Sequence, residues 1–130
     1  MSITFQEDFI SITVTNGSPE PVRVKVYGVE AVGTGLGYHD SSMVRGIYTD
    51  KKHEDFTPTH FNAYIITHLP SGYGFPAPIP GEKQARALIK EMVQLGLDWT
   101  QEKSDLERDP LFRQAGKIFR DFLMRNENDD

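Results

Sequence analysis

Apolar residues in this chain change their spacing once. Before Leu69 they recur at every second position, and after Glu82 at every third or fourth. Period two belongs to a pleated strand and period 3.6 to a helix. The order therefore predicts strands first and helices last, an α+β domain with an antiparallel sheet of about four strands over residues 9–69 and two C-terminal helices packed on one face.

The strand readings follow from particular residues. In Phe9 to Thr15, Ile10, Ile12 and Val14 alternate with Ser11, Thr13 and Thr15. In Val22 to Val29, Val22, Val24 and Val26 alternate with Arg23, Lys25 and Tyr27. Asn16-Gly17 with Pro19 and Pro21 between them supplies turn chemistry, so the two runs predict a hairpin. A third strand is expected over Met43 to Tyr48 and a fourth over His60 to Leu69. The fourth is apolar on both faces, as a strand covered on both sides would be.

In the second half, Ala85, Leu88, Ile89, Met92 and Leu95 form a helical stripe that Gly96 is suited to end. Asp109 can cap a last helix with Pro110 at its first position, and Leu111, Phe112, Ala115, Ile118, Phe119, Phe122 and Leu123 make its apolar face. Ser104 and Glu107 have capping-box spacing, which predicts a short helical turn between the two. No repeat or composition break marks a second domain. Residues 1–125 read as a single domain and 126–130 as a polar tail.

Composition narrows the function classes. The 130 residues carry a net charge of −5 and no cysteine. Net negative charge disfavours non-specific attraction to nucleic acid or anionic lipid. Lack of Cys excludes disulfides, thiolate nucleophiles and cysteine-ligated metals. The N-terminal MSITFQEDFISITV has no basic region followed by an apolar run, and no stretch has the length of a membrane span. A cytoplasmic protein off the membrane is the expectation.

Chemistry-bearing motifs are weak. His39, His53, His60 and His68 could serve as acid–base or metal groups with neighbouring carboxylates, yet none has the spacing of a local metal motif. On one continuous strand, His60 and His68 would lie about 26 Å apart at ~3.3 Å per residue. GTGLGYHD lacks the third glycine and the following helix of a dinucleotide loop, and reads as a flexible hairpin or a glycine-bulged strand. Ser71 follows His68 by three residues, but Leu69-Pro70-Ser71-Gly72 is turn chemistry first. Arg23, Lys25 and Tyr27, extended by Lys51 and Lys52, form a thin basic-aromatic strand face. No cofactor signature is present.

One segment is unusual. Residues 56–81 contain no Asp, Glu, Lys or Arg. The fourth strand accounts for the first part as core, but not for YGFPAPIP, where prolines at 76, 78 and 80 force extended backbone and remove donors. Such a segment covers either its own core or a partner. The expectation is a non-catalytic, protein-binding or regulatory accessory protein that binds a partner or itself as a homodimer, with Tyr64, Tyr73, Phe75 and Ile79 as contacts. The alternatives are a small enzyme using His39, His60 or His68, and a single-strand nucleic-acid binder on the Arg23/Lys25/Tyr27 face.

Overall fold

The computed structural model describes residues 2–14, 20–41 and 63–127. It shows an antiparallel sheet followed by helices. Among the described residues the sheet has five strands in the order β1-β2-β3-β4-β5: β1 Phe5–Val14, β2 Val22–Ala31, β3 Leu36–Asp40, β4 Ala63–His68 and β5 Ile79–Pro80. The helices are α1 Glu82–Gln94, α2 Lys103–Arg108 and α3 Leu111–Glu127. None of the described helices is long and apolar enough to cross a membrane.

The count of five differs from four for two reasons. GTGLGYHD is a turn followed by β3, a strand of five residues with only Leu36 and Tyr38 as its apolar signal. Ile79–Pro80 pairs with Tyr64 and Ala63, so part of the proline-rich segment closes the sheet's edge. Proline is tolerated there because an edge strand has one side free of the ladder. The expected strand over residues 43–48 and the start of the fourth at 60–62 lie outside the described residues, as do His53, His60, Lys51 and Lys52.

Register explains why β4 is buried on both faces. Tyr38 and Ile66 are paired and face α1, where Leu88, Ile89 and Met92 are fully buried with them. The alternate residues of β1 and β2, Ile10, Ile12 and Val26, form a second buried cluster with Val24 and Leu69. Ile66, Thr67 and His68 are consequently buried in succession.

The second cluster exists because the long hairpin curls. By register, Arg23 and the turn after β4 lie about nine residues apart along the strand direction, about 30 Å in a flat sheet. Yet the Arg23 guanidinium donates to the carbonyls of Pro70 and Leu69 at 3.3 and 3.4 Å. Thr13 donates its N–H to Gly72 O at 2.8 Å and its hydroxyl to Ser71 O at 2.6 Å. The hairpin therefore bends back over the sheet face that the helices leave uncovered. Gly28 permits the bend: a Cβ there would stand 2.6 Å from Tyr38 O.

Helix α1 is held by its buried face rather than by its caps. Gly81 makes no side-chain cap bond, whereas Leu88, Ile89 and Met92 are each worth about 1.5–3 kcal/mol of burial. Tyr38 ties the helix start to the sheet, donating to Glu82 Oε2 at 2.7 Å and accepting from Arg86 Nε at 2.7 Å. Gly96, with φ of 90°, ends the turn after it. At α3, Asp109 caps as expected, its Oδ1 accepting from Leu111 N at 3.0 Å. The capping box does not form. Helix α2 begins one residue before Ser104, at Lys103, and Glu107 instead pairs with Lys103 at 2.6 Å. Helix α3 also continues two residues into the expected polar tail, to Glu127.

Candidate functional site

The segment after β4 is positioned by the turn it leaves. Gly72 N donates to His68 O at 2.7 Å, an i-to-i+4 closure one residue longer than the tight turn expected from LPSG. Gly72 takes φ of 76°, and the chain then runs back along β4. His68 N donates to Tyr73 O at 3.0 Å and Phe75 N to Ile66 O at 2.7 Å. From Phe75 on, side chains alternate with period two. Phe75 and Ala77 are half-buried and Ile79 is fully buried, while Pro76, Pro78 and Pro80 are exposed. The prolines keep the strip extended so that its other side chains point inward.

The strip packs on the core along its length, with Ile79 buried and Phe75 and Ala77 half-buried against it, and beside Phe75 it also faces open space. There it forms one wall of an open groove of about 450 Å³, with α2 and α3 as the other walls. Phe75, Trp99, Leu106, Phe112, Ala115 and Phe119 line it. The Phe75 ring meets Phe119 edge-on at 5.4 Å and Trp99 at 5.8 Å. Trp99 is itself fixed, its indole N–H donating to Met92 O at 3.0 Å. Tyr73 is 36% exposed beside the groove, with the Lys103 ammonium over its ring at 5.2 Å. Lys103 is bridged to Glu107, and both line the groove together with Arg120. The volume lies in the range of sites that enclose small ligands or anchoring side chains.

Gly116 lines this groove in the middle of α3. A glycine inside a helix costs about 1 kcal/mol relative to alanine. Packing does not demand it, since an added Cβ would meet nothing closer than Arg120 Nη1 at 4.0 Å. What its missing side chain provides is open space in the groove.

His68 and Ser71 stand at one end. His68 Nε2 lies 3.0 Å from Gln101 O, and a carbonyl only accepts, so Nε2 carries the proton. Nδ1 is then an acceptor for the Ser71 hydroxyl at 2.8 Å. Burial pushes the His68 pKa down, partly countered by the carbonyls of Gln101 and Trp99. The contact resembles a nucleophile and its base, but the nearest N–H groups are spent: Gly72 N on His68 O and Tyr73 N on Ser71 Oγ at 3.2 Å. The arrangement ties the 68–72 turn to residues 99–101.

The expected contact residues separate. Tyr73 and Phe75 come together in the groove. Ile79 is fully buried and paired with Tyr64, whose ring stands edge-on to Tyr38 at 5.6 Å, so this pair seals the sheet edge. Ile79 belongs to the buried core and Tyr64 packs partly buried against it. His39 and His68 lie on opposite faces of the sheet by register and do not converge, and no group of three metal-ligating side chains occurs among the described residues. On the Arg23/Lys25/Tyr27 face, Arg23 is engaged with carbonyls and the Tyr27 hydroxyl donates to Glu7 at 3.1 Å, placing a carboxylate within the basic patch. Trp99, Leu106 and Gly116 were missed as site residues; the one signal in the sequence was a glycine breaking an otherwise strong helix. A scan of protein-family models, a search of curated proteins and a search of solved structures each returned no match.

Proposed function

We propose that this chain is a non-catalytic, protein-binding accessory protein of the cytoplasm, and that the groove between residues 73–77, α2 and α3 is its receiving site. The observation that carries this reading is an open apolar groove with a helix-interior glycine that the chain's own packing leaves without a neighbour. Aromatic walls in a fixed arrangement suit an apolar anchor from a partner, because a preformed pocket loses little entropy on filling. With Lys103 already bridged to Glu107, Arg120 leaves the groove lining one cation in excess, which favours an anchor carrying a carboxylate.

A photo-crosslinking amino acid placed at Tyr73 in the native host tests it. The reading expects a discrete protein adduct that disappears when Gly116→Met fills the groove. No adduct, or an adduct indifferent to that substitution, contradicts it.

A further inference from the structure

Strand β1 is an edge of the sheet, and its hydrogen bonds have readable directions. Thr13 N donates to Gly72 O, away from β2, whereas Thr4 O accepts from Val32 N on the β2 side. The β1–β2 register runs unbroken from Phe5 to Val14. In an antiparallel ladder, bonded and non-bonded pairs alternate. Gln6, Asp8, Ile10 and Ile12 therefore bond to β2, while Phe5, Glu7, Phe9 and Ser11 aim their N–H and C=O groups outward. Phe9 agrees with this: its N–H donates to Asp8 Oδ1 at 2.8 Å. Glu7, Asp8 and Phe9 are exposed and Ser11 is half-buried. Glu7–Ser11 is thus open edge, bounded at Thr13 by the Gly72 turn, with one outward N–H covered by a carboxylate.

We infer that this edge is a strand-pairing surface for β1 of a second copy of the chain, and that Asp8 holds the pairing weak. An open edge templates another strand, and charged side chains on it restrain that pairing. The register selects the partner. Outward groups meet outward groups only where odd-numbered residues oppose odd-numbered ones. Centring an antiparallel pair on Glu7 or on Asp8 sets two carboxylates face to face, which is unfavourable. Centring it on Phe9 avoids this and leaves Thr13 to its turn. Phe9 then faces Phe9 of the second copy; each ring is 64% exposed and already stands edge-on to its own Tyr27 at 5.5 Å. Glu7 faces Ser11 of the second copy, and Lys25 of that copy lies one strand further, since Ser11 and Lys25 are paired. Two strand spacings are about 10 Å, a gap that a Glu and a Lys side chain span together. The mixed charges of this strand face therefore complement each other across a two-fold axis. On the opposite face Asp8 comes against Ile10 of the second copy, and its carboxylate must also release the Phe9 N–H. Both effects oppose the dimer. This surface is separate from the groove and does not depend on how the groove is read.

Sedimentation velocity across a concentration series reads the association, and amide exchange locates it. The ladder spans only Glu7–Ser11 and buries far less than a standard interface, so wild type dimerises with a Kd on the order of 100 μM or weaker. Asp8→Ala lifts the restraint in both copies and should tighten the dimer about tenfold or more. In that variant, exchange at the Glu7, Phe9 and Ser11 amides should slow as concentration rises. Glu7→Pro removes one outward N–H and spares the bonds to β2, a substitution an edge strand tolerates. Added to Asp8→Ala, it should return the chain to monomer, with circular dichroism and melting showing that it folds. Asp8→Ala with Gly116→Met should dimerise like Asp8→Ala alone. An Asp8→Ala protein no more dimeric than wild type would overturn the inference. So would a dimer whose Glu7 and Ser11 amides exchange as in the monomer, a folded Asp8→Ala/Glu7→Pro protein that still dimerises, or a dimer lost with Gly116→Met.

Discussion

Gly116→Ala should stabilise this protein. Gly116 is the sixth residue of the 17-residue helix α3, well inside its hydrogen-bonded turns. In that setting glycine is about 0.5–1 kcal/mol worse than alanine, because its unfolded backbone has more freedom to lose. Usually a buried glycine repays this by letting something approach. Here the nearest atom to an added Cβ is Arg120 Nη1 at 4.0 Å, an ordinary contact at the end of a flexible side chain. No steric term opposes the gain, so the full 0.5–1 kcal/mol should appear. For a chain of 130 residues that corresponds to a rise in Tm of about 2–4 °C. Urea unfolding followed by circular dichroism, with calorimetry for Tm, reads it directly. A Tm unchanged or lowered would mean that Gly116 is needed by the fold, and the case for a groove kept open for an occupant would collapse.

Three other outcomes follow from the geometry. His39 is 3% exposed, neither of its ring nitrogens has a partner among the described residues, and burial lowers its pKa to about 4 despite neighbouring Asp40. Between pH 6.5 and about 4 the unfolded chain binds a proton the folded one refuses, so stability present above 6.5 falls by about 3 kcal/mol as pH drops through that window. Denaturation midpoints against pH should show the loss, and His39→Gln should flatten most of it, leaving the smaller contribution of buried His68; an unchanged slope contradicts this. Phe75→Ala should cost about 2–4 kcal/mol, since its ring packs on Trp99 and Phe119, while Tyr73→Ala should stay within about 1 kcal/mol; equal costs would contradict the division of the segment into core and surface. Gly72→Ala, at φ of 76° with its Cβ 2.6 Å from Thr13 Oγ1, should cost about 1–3 kcal/mol and speed amide exchange at Thr13; slow exchange there would mean the hairpin does not depend on this turn.

The sequence made the architecture readable where a period ran uninterrupted. Ile10, Ile12, Val24 and Val26 point together because alternation fixes strand faces, and the stripe Ala85, Leu88, Ile89 and Met92 is buried as its spacing requires. Strand β3 was hard to read because it is five residues long with only Leu36 and Tyr38 as apolar signal, and its pairing with β4 joins residues far apart along the chain. The curl of the hairpin depends on contacts between Arg23 or Thr13 and residues 69–72, which no local pattern encodes. Of the site, only the residues in the charge-free stretch stood out. Tyr73 and Phe75 reach the groove, but the same apolar signal selected Tyr64 and Ile79, because burial and binding draw on the same side chains. Trp99 and Leu106 were invisible as site residues because only tertiary packing brings their loop and short helix against Phe75.

The claim that the groove stands open is tested most directly with an anionic aromatic dye, anilinonaphthalene sulfonate, titrated into the folded protein. One dye should bind per chain, adding Gly116→Met should abolish binding, and melting should show both proteins folded. A folded protein that binds no dye, or that binds it equally well with Met at position 116, would contradict the account.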